Sequence, residues 1–500
     1  MKTTSIVENG FDGFLAEIEC HMSNGLPTML IVGLANKAVD EAKERIRSAF
    51  ASSGLVLPKK RLIINLAPAD IPKDTTAFDL AIATALMATA GQIPAPDTRT
   101  AFLGELGLDG SLRPIRGLIG KLLTAKKNQL KKIYVPYQNA DQASLIEGLE
   151  IIAVSSLNEL YLHLTGTTLL APMSKQPISY QPPKGQVDFA DIVAQTTAKR
   201  VLEIAAAGNH NVLLNGPPGT GKSMLAKALS TILAPMSQTE ILEATHIHSL
   251  SSKHYGTLIT NRPFRSPHHS ASDIAIIGGG QSPRPGEISL AHNGVLFFDE
   301  FPEFKRSAIE ALRQPLEDGV ITVARAKDTL EFPARFILVA TANPCPCGYF
   351  ETHRECTCLP ADILKYRRKL SGPIIDRIDL YASVENVKHE RLLEDNSAAE
   401  TSSSIQKRVE AARARQQLRW KAGKTNSQVS SRDIKTKIGL DSAGKTLLDS
   451  AADKLELSPR AYIRTLKVAR TIADLDASEN IQTKHIAEAI QYRPNIKAEL

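Results

Sequence analysis

The sequence predicts a multidomain α/β protein, and three observations carry that expectation. A short apolar run, Val212-Leu213-Leu214, ends in GPPGTGKS (216–223) and continues into the helical MLAKALSTIL. A second apolar run, Val295-Leu296-Phe297-Phe298, ends in Asp299-Glu300. The stretch PMSKQPISYQPPKGQ (172–186), with four prolines and few apolar residues, separates this region from the first third of the chain. Such a composition cannot form a packed core and reads as an interdomain linker.

At 500 residues the chain is too long for one core. The predicted divisions are an N-terminal domain at 1–170, a Pro-rich linker at 171–186, a central domain at 187–390 and a C-terminal domain at 391–500, with a second soft joint in LEDNSAAETSSS (393–404). The C-terminal part reads helical. Ile463, Leu466, Val468, Ile472 and Leu475 recur at helical spacing, with Ser458 as N-cap and Pro459 at the first helical position. Apolar content of 43% and charged content of 23% are ordinary for a globular protein. No apolar stretch approaches the roughly 20 residues of a spanning helix. The start, MKTTSIVENGFDGFLAEIE, has no uninterrupted apolar signal region. A cytoplasmic, soluble protein is expected. The net charge of +7 permits nucleic-acid binding without requiring it. Residues 407–437 carry ten Lys/Arg against two acids, consistent with either a solvated helix face or contact with a phosphate backbone.

Strand, glycine-rich turn and helix in that order are the context a phosphate loop requires. Gly216, Gly219 and Gly221 let the backbone turn so that the N–H groups of the segment, Pro217, Pro218 and Thr220 included, frame bound phosphates. Lys222 reaches the β- and γ-phosphates, and Ser223 offers a hydroxyl to Mg²⁺. ATP and Mg²⁺ are therefore the expected cofactors. A continuous apolar run such as 295–298 is the mark of a strand buried on both faces. Asp299 after it is placed to hold Mg²⁺, and Glu300 to orient or deprotonate an attacking water. A third apolar run, RFILVATAN (335–343), puts Thr341 and Asn343 at a strand end, where an amide can address the water or the γ-phosphate. In SGPIIDRIDLY (371–381), Arg377 between two acids reads either as a structural ion pair or as an arginine acting on a neighbouring subunit's ATP.

Together these residues resemble the AAA+ family, in the branch of magnesium-chelatase ATPase subunits and MCM-type helicases. The resemblance places the arginine finger at Arg377, within Asp376-Arg377-Ile378-Asp379, and the second sensor at Arg460 in Ser458-Pro459-Arg460, with Arg464 as the fallback. It also implies pore-facing insertions. RPFRSPHHSASDIAIIGGGQSPRPGEISLAH (262–292) lies in the 77-residue gap between Lys222 and Asp299, and 320–336 alternates like a hairpin with Arg325 and Lys327 near its turn. Ordinary surface loops are the alternative for both.

Over its whole length the chain resembles the ComM/YifB family of bacterial magnesium-chelatase-like ATPases, on RPFRSPHHSASD, PGEISLAHNGVLFFDE, NPCPCGY and SGPIIDRIDL. The resemblance implies a homo-hexameric ring that moves on DNA and promotes branch migration of recombination intermediates in natural transformation. An ATPase of magnesium-chelatase type that remodels a protein partner is the alternative. Within this fold, 72–91 and 103–123 resemble the Lon-protease catalytic domain, itself like ribosomal S5 domain 2. Against the Lon pattern P-K-D-G-P-S-A-G, the chain reads Pro72-Lys73-Asp74-Thr75-Thr76-Ala77-Phe78-Asp79. Ala77 therefore occupies the nucleophile's place. Lys121 persists in GLIGKLL, but a base without a nucleophile forms no acyl-enzyme. Only a register shift to Thr75 or Thr76 would restore one, so no peptidase activity is expected. The C-terminal domain is expected to be the helical lid.

Four of the five cysteines, Cys345, Cys347, Cys356 and Cys358, fall in NPCPCGYFETHRECTC (343–358). Four thiolates so close suffice for a tetrahedral Zn²⁺ site, which would be closed and structural. The C-x-C spacing departs from the commoner C-x₂₋₄-C, and His353 could replace one sulfur. Unmetallated thiols are the alternative, and disulfides are disfavoured in a reducing cytosol. Trp420, the single tryptophan, is expected to pack a helix rather than stack on a base. His268 and His269 are adjacent, not at ligand spacing, and read as loop or DNA-facing residues. Cys20 reads as a small buried hydrophobe.

Overall fold

The computed structural model describes residues 1–9, 11–33, 37–68, 76–174, 187–251, 257–280, 284–324, 329–352, 354–370, 372–387, 399–420 and 423–493. The first third forms a mixed sheet from β1 (Lys2–Asn9), β2 (Asp12–Ser23), β3 (Thr28–Val32), β4 (Arg61–Ala67), β5 (Thr100–Phe102), β8 (Lys132–Pro136) and β9 (Glu150–Val154). A small hairpin, β6 (Glu105–Leu106) with β7 (Leu112–Arg113), lies between. The sheet order is β3-β4-β2-β1-β5-β8-β9. Alternation explains the strands. β2 buries Ala16, Ile18 and Cys20 and exposes Glu17 and His21, the period of two expected of a half-covered sheet. Cys20 is the buried small hydrophobe the sequence suggests. Helix Asp79–Thr89 has no polar stripe and is buried along nearly its whole length against β1 and β2.

The central region contains β10 (Val212–Asn215), β11 (Phe264–Arg265), the pair β12 (Gly278–Gly279) and β13 (Arg284–Pro285), β14 (Val295–Phe298), the hairpin β15 (Val320–Ala324) and β16 (Thr329–Pro333), β17 (Ile337–Ala342) and β18 (Leu380–Ser383). Five of these make an all-parallel sheet in the order β11-β14-β17-β10-β18. The runs VLFF and ILVATA are fully buried, as strands covered by helices on both faces must be. Register decides where the polar residues emerge. Asn215 lies opposite Ala342 and Phe298 opposite Ala340. The phosphate loop therefore leaves the sheet beside Asn343, and Asp299 leaves it beside Thr341. These are the carboxyl ends of adjacent parallel strands, where α/β sheets bind ligands.

The C-terminal region is helical, with helices Ser402–Arg419, Ser442–Lys454, Pro459–Leu475 and Thr483–Gln491. Ser458 caps the third, its hydroxyl accepting from the Ala461 amide at 3.1 Å. Val409, Val468 and Ile472 join Val201, Val212 and Leu225 in one apolar cluster, so these helices share a core with the parallel sheet. A second bridge runs the other way. Helix Gln238–Ser251 places Ile241 and Ala244 in a cluster with Leu118, Ile119 and Leu122 of the first third.

Candidate active site

The phosphate loop is shaped by its glycines. A Cβ at Gly216 would lie 2.2 Å from the Val384 carbonyl oxygen, and Gly219 and Gly221 have φ of +80° and +88°. Only glycine adopts these positions without strain. Helix Lys222–Ile232 begins at Gly221 with no side-chain cap, so its first amides are open to an anion.

Lys222 is buried, 8% exposed. Its Nζ donates to the carbonyls of Gly216 and Pro217 (2.7 Å to the latter) and to Asn343 Oδ1 at 3.1 Å. Burial pushes its pKa down to about 8, against the opposing pull of Asp299 and Glu300. All three of these oxygens are neutral, and among the described residues no carboxylate pairs directly with this buried cation.

Ser223 Oγ donates to Asp299 Oδ2 at 2.8 Å. The other oxygen, Asp299 Oδ1, accepts from Thr341 Oγ1 at 2.7 Å. Thr341 Oγ1 in turn accepts from the Glu300 amide at 2.8 Å. One hydroxyl thus fixes both neighbouring acids. Glu300 has φ of +54°, a left-handed conformation that costs a non-glycine residue about 1 kcal/mol and that marks functional turns when the surroundings enforce it. A hydroxyl and a carboxylate oxygen converging from two elements are the hard oxygen donors that suit Mg²⁺. The sequence pattern points to Thr341 only as a polar strand end. Its grip on Asp299 and Glu300 follows from register.

The two predicted arginines meet on one acid. Arg377 donates to Pro373 O and to Glu317 Oε2, and Arg460 Nη2 donates to Glu317 Oε1 at 2.6 Å. Arg464 instead binds Asp379 Oδ1 at 2.6 Å and the Arg377 carbonyl at 3.1 Å. Burial alone would raise the Asp379 carboxyl, but Arg464 and His210 hold it well below the usual range. Sequence reasoning does not single out Glu317, since an acid in an amphipathic helix carries no local signal.

Other predicted features have structural roles. In the basic stretch, Arg408 pairs with Glu203 at 2.6 Å, Arg413 donates to Ala206 O at 2.8 Å, and Arg415 donates to Asp474 O at 2.9 Å. Arg419 also pairs with Asp474, at 2.6 Å. These four arginines hold the helices together, and the sequence expectation of a solvated or phosphate-binding face is corrected for them. Trp420 is buried and donates to Asn426 Oδ1 at 2.7 Å, a packing role. Arg262 donates to Ala234 O and Asn293 O, and Arg265 pairs with Glu287 at 2.6 Å. β15 and β16 form the expected hairpin, while Arg325 and Lys327 lie outside the described residues, as does His353. The rings of His268 and His269 lie 4.1 Å apart between centroids, tilted by 34°, and His268 Nδ1 meets Ser270 Oγ at 2.7 Å.

At the Lon-like position, Ala77 is buried in the turn Thr76–Phe78. The Thr76 hydroxyl donates to Glu105, and Thr75 lies outside the described residues. Lys121 Nζ pairs with Glu8 Oε2 at 2.6 Å and donates to Arg116 O at 2.7 Å. His246, from the helix bridging to the central region, packs on Gly120 and meets Phe11 O at 2.9 Å. Burial pushes His246 down to about 4, leaving it neutral near pH 7. The four cysteines of 345–358 offer sulfurs within 4.8 Å of one another, a set compatible with zinc. Among the described residues no helix is long and apolar enough to cross a membrane.

Three family models match: "Magnesium chelatase, subunit ChlI" over 188–392, "Subunit ChlI of Mg-chelatase" over 18–139, and "Magnesium chelatase, subunit ChlI C-terminal" over 399–493. Competence protein ComM of Haemophilus influenzae is 42% identical over 494 residues, covering 98% of this chain and 96% of its own. The protein YifB of Salmonella typhimurium is 43% identical over 480 residues, covering 95% and 93%. Lon protease 2 of Bacillus subtilis is 39% identical over 119 residues, 23% of this chain and 21% of its own.

Proposed function

The chain belongs to the ComM/YifB family of magnesium-chelatase-like AAA+ ATPases, and from that premise we propose that it is an ATP-driven DNA motor. It acts as a homo-hexameric ring that promotes branch migration on recombination intermediates and supports integration of DNA in natural transformation. The observation that carries the ATPase half is the convergence of Lys222, Ser223, Asp299, Thr341 and Asn343 through hydrogen bonds at three adjacent strand ends. The DNA half is supported by the likeness to a protein named for competence.

In this reading the amides at 216–223 cradle the phosphates, and Lys222 trades its carbonyl partners for phosphate oxygens. Ser223 and Asp299 would hold Mg²⁺, which when bound would offset the negative charge of the phosphates. Glu300, held in its turn by Thr341, orients the attacking water. Asn343 is released from Lys222 to address that water or the γ-phosphate. Arg377, which shares Glu317 with Arg460, addresses the ATP of an adjacent subunit, and Arg460 serves as the second sensor. An ATPase that remodels a protein partner remains the second reading, favoured by the chelatase description of all three family models.

Hydrolysis measured with and without a mobile four-way DNA junction, with strand exchange scored in parallel and Lys222→Ala as the blank, tests the proposal. DNA-stimulated hydrolysis with exchange supports the motor, and its stimulation should fall steeply with salt. Hydrolysis indifferent to every DNA sends the reading to a protein client.

A further inference from the structure

The four-cysteine loop takes no part in the constellation above, yet it lies directly on it. Cys345 Sγ is 3.3 Å from Cys347 Sγ and 3.7 Å from Cys356 Sγ, and the latter two are 3.6 Å apart. A tetrahedral zinc tetrathiolate with Zn–S near 2.3 Å has sulfur–sulfur edges of about 3.8 Å, whereas a disulfide needs about 2.05 Å. Two of the three separations come close to that edge, all three are far beyond a disulfide bond, and all four sulfurs lie within 4.8 Å of one another. Two backbone amides already point at the sulfurs. Phe350 N–H donates to Cys345 Sγ and Cys347 N–H to Cys358 Sγ, each at 3.3 Å. Such N–H donors stabilise thiolate charge in metal sites. Four soft ligands leave no open position for water, so the site is closed and non-catalytic.

Its location gives it a second role. The loop starts two residues after Asn343, the acceptor of Lys222. At Gly348 the backbone has φ of +85°, and a Cβ there would lie 2.6 Å from Pro218 Cδ. The cysteine loop thus presses its bare backbone against the phosphate loop itself. The Arg367 guanidinium lies over the Phe350 ring of this loop, 5.1 Å from its centroid. Between Ala342 and Pro360 no helix or strand is formed among the described residues, so a cross-link is what would give this span a fixed shape.

We propose that Cys345, Cys347, Cys356 and Cys358 hold a structural zinc ion, and that the closed loop buttresses the phosphate loop through Gly348 on Pro218, so that zinc occupancy sets nucleotide affinity. The second half rests on the reading of 216–223 as the nucleotide site.

The test uses the full chain. Metal content is measured directly, cobalt substitution reports tetrahedral thiolate coordination by its absorption bands, and binding of a fluorescent ATP analogue is measured before and after a chelator strips the metal. One zinc per chain is expected, absent from Cys356→Ser/Cys358→Ser, with nucleotide affinity about tenfold weaker once zinc is lost, the scale of an outer-shell effect. Gly348→Ala separates the two halves. It should keep its zinc and still bind nucleotide several-fold more weakly, with its helical circular dichroism unchanged. A chain that binds no zinc, or binds iron in its place, overturns the metal site. Equal nucleotide affinity with and without zinc, together with a silent Gly348→Ala, overturns the buttress. A zinc-loaded wild type that binds nucleotide no better than Lys222→Ala overturns the nucleotide reading, and the buttress with it.

Discussion

Two buried lysines, one in the first third and one in the central region, have opposite surroundings. Lys121 is 1% exposed and pairs with the Glu8 carboxylate. Lys222 is 8% exposed, and its direct partners are two carbonyls and an amide oxygen, all neutral. A buried cation with its counter-ion is a structural element, whereas one without is costly and persists where a ligand supplies the charge. The first lies in the N-terminal region, which resembles Lon proteases. The second lies in a loop built for phosphates. The same residue type, buried in both places, meets a carboxylate in one and only neutral oxygens in the other, which under the proposed function leaves it open to an anion.

Substitutions at these two lysines test the contrast directly. Lys222→Ala should lower ATP turnover by at least 10²–10³-fold, the scale for losing one preorganised charged donor, and turnover within threefold of wild type would remove Lys222 from the phosphate role. Lys121→Met should leave turnover per folded molecule nearly intact and destabilise the chain by about 2–4 kcal/mol, below the full range for a buried pair because Glu8 is a third exposed. Chemical denaturation measures it, and an unchanged midpoint would deny Lys121 its structural role.

The pH response is the next smaller effect. The phosphates of a nucleotide raise the pKa of Lys222 from about 8, so binding above that pH takes up about one proton and weakens as pH rises. Between pH 7 and 9 the loss is about tenfold, or 1.4 kcal/mol. Calorimetry in two buffers of different ionisation enthalpy detects the uptake, and none at pH 9 would contradict the shift.

The stability of the nucleotide-free chain has the opposite sign. The folded pKa of Lys222 lies below its ordinary value of 10.5, so the unfolded chain binds more protons across that window and stability rises with pH between about 8 and 10.5. Lys222→Met should accordingly stabilise the nucleotide-free chain at pH 7 by up to about 3 kcal/mol, while the same change at Lys121 destabilises it. Stabilisation or destabilisation by both would erase the contrast. The smallest expected effect is none. Casein should remain uncut by the wild type and by Thr76→Val alike, and cleavage lost in that variant would restore the peptidase reading.

Much of the site is legible in the sequence because its chemistry needs residues close together along the chain. GPPGTGKS and FFDE each carry strand, turn and acid or lysine within eight residues, and the apolar runs give β10, β14 and β17. The helical C-terminal region is equally readable from Ser458, Pro459 and the spacing of Leu466, Val468 and Ile472. What escapes such reading depends on partners distant in sequence. Glu317 joins Arg377 and Arg460 from positions 60 and 143 residues away. Arg408, Arg413, Arg415 and Arg419 look like surface charge because their acceptors, Glu203, Ala206 and Asp474, belong to other helices.

The sequence by itself determined the residue types at the phosphate loop, the missing nucleophile at Ala77 and the four clustered thiols, since each is a local pattern or a local absence. Folding brings about what no local pattern carries: Thr341 fixes both acids, Gly348 presses on Pro218 and, among the described residues, Lys121 but not Lys222 meets a carboxylate. Strand register, close backbone approach and the pairing of buried charges are properties of segments brought together, and no single segment carries them.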